Sequence, residues 1–231
     1  MPYNARRLLR VYIRVKYFSY ITLFAALAAT AAAGDPATDR LLKQVENRYN
    51  KVATLQVQFA ESYGGSGRPA RTEAGVLYLR KPGRMRWDYT SPAGKVFVSD
   101  GKNVFLYLPS SNSVKKMKLK DTEDMRAPLA FLLGKLNFEK EFRNTQARSE
   151  GADTVITAEP KSDNLPYSKV EFTVAPTFEI RRLRVSNLDQ TTLEFAFEAE
   201  KLNPPLANRL FQFQPPAGAE VVDEGAGGGQ D

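Results

Sequence analysis

Apolar and polar residues alternate with a period of two along most of the chain, and that alternation predicts strands. Leu55, Val57 and Phe59 alternate with Gln56, Gln58 and Ala60. Met85, Trp87 and Tyr89 alternate with Arg84, Arg86 and Asp88. Val170, Phe172 and Val174 repeat the pattern, as do Leu193, Phe195 and Phe197. Turn residues punctuate the runs: a glycine-rich hairpin loop over Tyr63 to Pro69, Lys81-Pro82-Gly83, Ser91 to Gly94, and Asp100-Gly101. Besides 55–60, strands are expected over 75–80, 85–89, 96–99, 104–108 and 114–120. A second set is expected over 138–148, 153–159, 167–174, 178–188, 191–200 and 209–214. Helical spacing occurs twice. Leu41, Leu42, Val45, Tyr49 and Val52 follow the start signal Asp35-Pro36, which predicts a helix over 35–51. Residues 121–136 carry Met125, Pro128, Leu129, Phe131, Leu132 and Leu133, a short apolar helical stretch within a β-rich chain.

Several strands are apolar on both faces. Val76 and Tyr78 oppose Leu77 and Leu79; Phe105 and Tyr107 oppose Val104 and Leu106. An antiparallel sheet with one wetted face is polar on that face. Both faces here must be covered, or one must line an apolar cavity. A strongly curved antiparallel sheet with helices or a greasy ligand on its concave side meets that demand.

The first 33 residues differ in kind. Arg6, Arg7, Arg10, Arg14 and Lys16 precede an apolar run from Phe18 to Ala33, which ends in Ala31-Ala32-Ala33 before Gly34. Basic region, apolar core and small-residue site make up a secretory signal peptide. The alternative, a retained membrane anchor, is disfavoured because the run is short for a spanning helix. The expected organisation is a cleaved leader over 1–33, one domain over 34–224 and a disordered glycine-rich tail over 225–231. No Cys stands at the junction to accept a lipid.

Charge changes the picture once the leader is set aside. The whole chain has 33 basic and 26 acidic residues, net +7. Without the five basic residues of the leader the balance is 28 to 26, or +2. Nucleic-acid binding on global charge is therefore not expected. The clusters that remain, around Arg80–Arg86, Lys115–Lys120 and Arg181–Arg184, suit a solvated face or contact with an acidic partner or anionic lipid. The chain has no His and no Cys. That excludes a Ser-His-Asp triad, a Cys nucleophile, the usual zinc site and any disulfide. Carboxylate catalysis at Asp100, or at Glu194 and Glu198, is the enzymatic rival, but Asp-Gly is foremost a turn former and alternating strand Glu a solvated one. No enzyme activity, cofactor or metal is expected.

An ordered set of motifs points to a family. Gly75 opens a strand, Arg80-Lys81-Pro82 turns it, Trp87 marks an aromatic strand, and Pro92 and Ser99-Asp100-Gly101 follow. Tyr107-Leu108-Pro109, the Pro128–Leu133 segment and Phe211 to Pro216 keep the same order. Over about residues 36 to 223 the chain resembles LolA, the periplasmic outer-membrane lipoprotein carrier family. The resemblance implies an unclosed β-barrel with a helical lid over a hydrophobic cavity. It also implies a monomer that takes acylated lipoproteins from an inner-membrane ABC transporter and gives them to an outer-membrane acceptor. In the family an Arg directly before the Pro hydrogen-bonds to the lid. Here Lys81 holds that place and Arg80 lies one residue earlier, on the opposite face. Lys81 is thus the candidate lid latch, donating to a lid backbone carbonyl without the planar fork of Arg. By strand parity Leu77, Leu79, Met85, Trp87 and Tyr89 share one face, and with Leu129, Leu132 and Leu133 they are the candidate lipid-binding residues. An exported lipid- or lipoprotein-sensing regulatory module on the same fold is the alternative.

Overall fold

A computed structural model describes residues 35–65, 68–119 and 136–224. Asp35 starts helix α1 (Pro36–Asn50): its carboxylate accepts from the Ala37 backbone N–H and the Thr38 hydroxyl, both at 3.1 Å, with Pro36 in the first turn. Proline suits that place because its missing N–H has no intrahelical partner there. The helix buries a stripe of Leu42, Val45 and Tyr49 against the sheet. Each such side chain contributes about 1.5–3 kcal/mol.

Twelve strands follow among the described residues: β1 (Thr54–Gly65), β2 (Arg68–Arg80), β3 (Arg84–Ser91), β4 (Ala93–Asp100), β5 (Asn103–Leu108), β6 (Ser113–Lys118), β7 (Phe142–Glu150), β8 (Asp153–Pro160), β9 (Tyr167–Val174), β10 (Ile180–Asn187), β11 (Thr191–Leu202) and β12 (Glu220–Asp223). They form one curved, unclosed sheet in the order β12-β6-β5-β4-β3-β2-β1-β11-β10-β9-β8-β7. Among the described residues only the β12–β6 pair is parallel; the other pairs are antiparallel, joined for the most part by tight turns. The edge strand β7 presents Arg143, Arg148 and Glu150 to solvent, a charged guard against pairing with another chain.

Three expectations change. The hairpin loop expected over Tyr63 to Pro69 is mostly ladder, since β1 runs to Gly65 and β2 begins at Arg68. Residues 138–141 are a four-residue helix, α2 (Phe138–Glu141), because the Asn137 side chain caps it by accepting from Lys140 N at 2.9 Å; the strand begins at Phe142. Residues 209–214 are not a strand. Asn208–Phe211 is a 3-10 turn in a segment that lies against the outer face of β3 and β4. That crossing brings the chain back along the β6 edge, where β12 adds in parallel. The expected helix over 121–136 lies outside the described residues except Leu136, as do 1–33 and the tail.

Candidate functional site

The inner face of β1–β4 and β11 is an aromatic cluster. Strict alternation sends Leu77, Leu79, Met85, Trp87 and Tyr89 to this face, and all five are buried, Trp87 completely. Register sets Leu77 opposite Trp87 and Trp87 opposite Phe97. Phe59 meets Trp87 edge-on at 4.6 Å and Tyr89 at 5.1 Å, and Phe195 lies 5.5 Å from Trp87. Such geometries add to the gain from burial. The indole N–H of Trp87 donates to Met85 Sδ at 2.9 Å, a soft acceptor in an otherwise apolar interior. Gly75 is required by close approach: a Cβ there would lie 2.1 Å from the Asp88 carbonyl oxygen, across the irregular β2–β3 register.

At one end of this face α1 is held by polar contacts. Lys81 Nζ donates to the Tyr49 backbone carbonyl at 2.8 Å. A cation at the C-terminal end of a helix meets unsatisfied carbonyls and the negative end of the dipole. Burial pushes the Lys81 ammonium below its ordinary pKa. Among the described residues its hydrogen-bond partner is therefore the N-terminal helix, where the sequence led us to expect the segment 121–136. Tyr49 also donates its hydroxyl to Glu200 at 2.7 Å and accepts from Ile180 N at 2.9 Å. Burial, then the Glu200 charge, pushes the Tyr49 hydroxyl well above its ordinary pKa. Arg48 pairs with Glu200 at 2.5 Å.

Glu200 was not legible from alternation. Continuing Leu193, Phe195 and Phe197 sends Ala199 inward and Glu200 outward. In the ladder, Gln58 faces Glu198 and Gln56 faces Lys201, so Ala199 and Glu200 together oppose Val57. This β-bulge, with Ala199 at φ 53°, turns the Glu200 carboxylate under Tyr49. Left-handed backbone at a residue with a Cβ is uncommon, and no glycine marks the position.

Two further residues of the same end of α1 brace the chain beyond 135. Asn50 donates to the Leu136 carbonyl at 2.8 Å and accepts from Leu136 N at 2.7 Å. Buried Glu46 accepts from Phe138 N at 2.8 Å. Leu129, Leu132 and Leu133 lie outside the described residues. Beside Lys81 a cleft between Tyr49, Val52, Leu55 and Leu79 has room for about one water, about 10 Å³, far below the volume typical of small-molecule sites.

Two of the three carboxylates considered for catalysis, Asp100 and Glu194, have structural partners. Asp100 accepts from the backbone N–H groups of Lys102 and Asn103, both at 2.7 Å, and shapes the β4–β5 turn. Glu194 pairs with Arg184 at 2.6 Å and Arg182 at 3.5 Å. No cluster of three His, Cys, Asp or Glu suited to a metal occurs among the described residues.

Residues 50–214 match the family described as outer membrane lipoprotein carrier protein LolA. The chain belongs to the LolA family. An outer-membrane lipoprotein carrier protein of Dechloromonas aromatica (strain RCB) is 28% identical over 204 residues, 88% of this chain and 94% of that one. One from Methylobacillus flagellatus (strain ATCC 51484 / DSM 6875 / VKM B-1610 / KT) is 30% identical over 159 residues, 68% and 76% of the two chains. Among solved structures, a LolA superfamily protein from Nitrosomonas europaea aligns with a TM-score of 0.43 at 10% identity, covering 76% of this chain and 97% of that one. The LolA match spans α1's last residue through the segment on the outer face, so it includes the whole aromatic cluster, Lys81 and Glu200.

Proposed function

We propose that this protein is a periplasmic carrier that shields the acyl chains of lipoproteins and moves them from the inner to the outer membrane. One observation supports the reading above the rest. In a LolA-family chain, an unclosed sheet turns an aromatic face, uncharged between Glu73 and Lys81, toward a helix held by a few polar contacts. Leu77, Leu79, Met85, Trp87 and Tyr89 are the sheet side of the acyl site, and Leu129, Leu132 and Leu133 its lid side. A 16-carbon chain has about 15 methylenes, worth ~0.8 kcal/mol each, so a bare chain leaves water for any membrane it meets. The carrier therefore needs to cover the chain only in part, and it has to release it. A sheet whose first and last strands do not pair can widen without breaking a ladder.

Lys81 is the latch of the empty form in this reading. It ties β2 to the end of α1, and α1 in turn carries Asn50 and Glu46, which hold the chain after the lid. Residues 1–33 act as the export signal and are removed. The carrier acts as a monomer. It receives cargo from an inner-membrane ABC transporter and yields it to an outer-membrane acceptor, with no covalent chemistry on the way. The basic clusters guide docking to anionic partners and bind no nucleic acid.

The experiment is a two-step transfer with purified protein, donor membranes and acceptor membranes, followed by mass spectrometry of what the protein holds between the steps. An acylated lipoprotein in the intermediate, delivered to the acceptor, is the expected result. A protein that takes up no acylated cargo, or that captures an anti-sigma factor in place of a transporter, overturns the reading.

A further inference from the structure

Charge returns to the inner face one layer beyond the aromatic cluster. Glu61 of β1 and Glu73 of β2 stand directly opposite each other in the ladder, on the face of Phe59 and Leu77. Like charges so placed repel, and here both have partners. Lys95 of β4 pairs with the Glu73 carboxylate, and its ammonium lies 4.2 Å from the centre of the Tyr89 ring. Tyr89 donates its hydroxyl to Glu61 at 3.1 Å. The Lys95 and Glu73 side chains are only 11% and 14% exposed, so little water screens them. Because β2 and β4 flank β3, the pair bridges over Tyr89 and covers the inner face at this level.

The inner positions of β2–β4 between this layer and Lys81 carry no charge. From Glu73 in β2 to Lys81 just past its end is eight positions, about 26 Å at ~3.3 Å per residue. The hydrocarbon of one bilayer leaflet is about 15 Å deep. An acyl chain of membrane length fits between the two charged positions, whose own side chains fill part of the remainder.

Resting on the carrier reading above, we propose that the Glu73–Lys95 pair, set over Tyr89, is the depth stop of the acyl site and selects for chain length. The chain enters beside Lys81, where the apolar cleft opens, and its terminal methyl ends at the charged layer. A methyl driven further has to part a buried ion pair, which costs more than the added methylenes contribute.

The test uses purified protein, a fluorescent acyl probe, and saturated fatty acids from lauric to behenic acid as competitors. In the wild type, affinity is expected to rise about fourfold per methylene up to a limiting length and then level off. Glu73→Leu/Lys95→Leu removes both charges together, so neither is left buried alone. It is expected to extend the rise by two or more carbons, about tenfold or more in affinity for the longest acids. Glu73→Lys/Lys95→Glu keeps a pair and is expected to keep the wild-type limit. The same limit in the Leu/Leu variant as in the wild type overturns the depth stop, as does a changed limit when the pair is only reversed. Brominated acids give a second readout through Trp87, the one tryptophan of the chain. Leu77, opposite Trp87, lies midway between Glu73 and Lys81, so bromine at mid-chain is expected to quench the indole more than bromine near either end, and quenching that does not depend on bromine position overturns the proposed seat of the chain. Absence of saturable binding by any acid in the wild type is a failure of the carrier reading itself.

Discussion

Both faces of β2 and β4 carry apolar side chains, while β3 is apolar inside and charged outside, and the two faces are covered in different ways. The inner face meets α1 and its own aromatic neighbours. The outer face lies under the segment that follows β11. There Phe211 is buried with the Arg80 guanidinium over its ring, and Phe213 stacks on Phe105 at 5.4 Å. Arg80 also donates to the Leu206 carbonyl and the Asn208 side chain, and Arg86 to the Leu210 carbonyl at 3.3 Å. The outer cover is thus fastened by guanidinium bonds along its length. The inner cover is fastened at the helix end, through Lys81, Tyr49 and Glu200. Apolar residues on both faces of a strand do not by themselves reveal a cavity: one face here is an ordinary core, and the other is the side we propose opens.

Aromatic truncations separate the two faces most sharply. Phe211→Ala on the outer face and Trp87→Ala on the inner face should each cost about 3–5 kcal/mol in urea unfolding. Adding a saturating acyl ligand should restore part of the Trp87→Ala loss, because the ligand fills the space vacated. It should restore no more in Phe211→Ala than in the wild type. Equal recovery in both variants would remove the distinction between the faces.

Next in size is Glu200→Leu. It leaves the Arg48 guanidinium and the Tyr49 hydroxyl without their shared partner, and Arg48 is partly solvated. A loss of about 2 kcal/mol is expected, below the range for a fully buried pair. Amide exchange should show it concentrated in α1 and not under the outer segment.

Lys81→Leu should cost about 1 kcal/mol, the worth of one hydrogen bond, and leave the fold intact. In the transfer assay it should impair delivery more than uptake, since loss of a closed-state contact favours the loaded form. Delivery equal to wild type would remove the latch role. A Leu132→Glu variant that loads normally would remove the lid assignment.

The smallest effect is expected at Asp100, away from the inner face. Asp100→Ala should cost about 1 kcal/mol, as for loss of a side-chain cap, with acyl binding unchanged. Burial raises the Asp100 carboxyl pKa, but the N–H groups of Asn103 and Lys102 more than offset that and hold it below its ordinary value. Its folded pKa is thus lower than its unfolded one. The contribution is present above about pH 4 and lost as pH falls through the folded pKa. The variant should therefore lack that part of the acid-side slope in a pH series of urea midpoints.

Much of the site was legible in the chain itself. Parity alone put Leu77, Leu79, Met85, Trp87 and Tyr89 on one face, because a strand's side-chain period of two leaves no other choice once the turn at Lys81–Gly83 is recognised. Strands β8 to β11 were bounded within a few residues for the same reason. The ladder extending β1 and β2 through the glycines was not legible, because pairing with β11 on the other side of β1 supports residues that local propensity assigns to a loop.

By itself, then, the sequence determined most of the strands, the parity of their faces and the lack of His and Cys, since these follow from periodicity and from residue types. Only the tertiary structure decided what covers each face. That depends on contacts between residues far apart in the chain. Lys81 reaches α1 because β2 ends beneath its last turn. Glu200 faces inward because one extra residue in β11 reverses its direction. Phe211 belongs to the outer face because the chain crosses there on its way to β12. A carboxylate and an aromatic ring have the same local propensity on either face, so neighbours distant in sequence decide which one they serve.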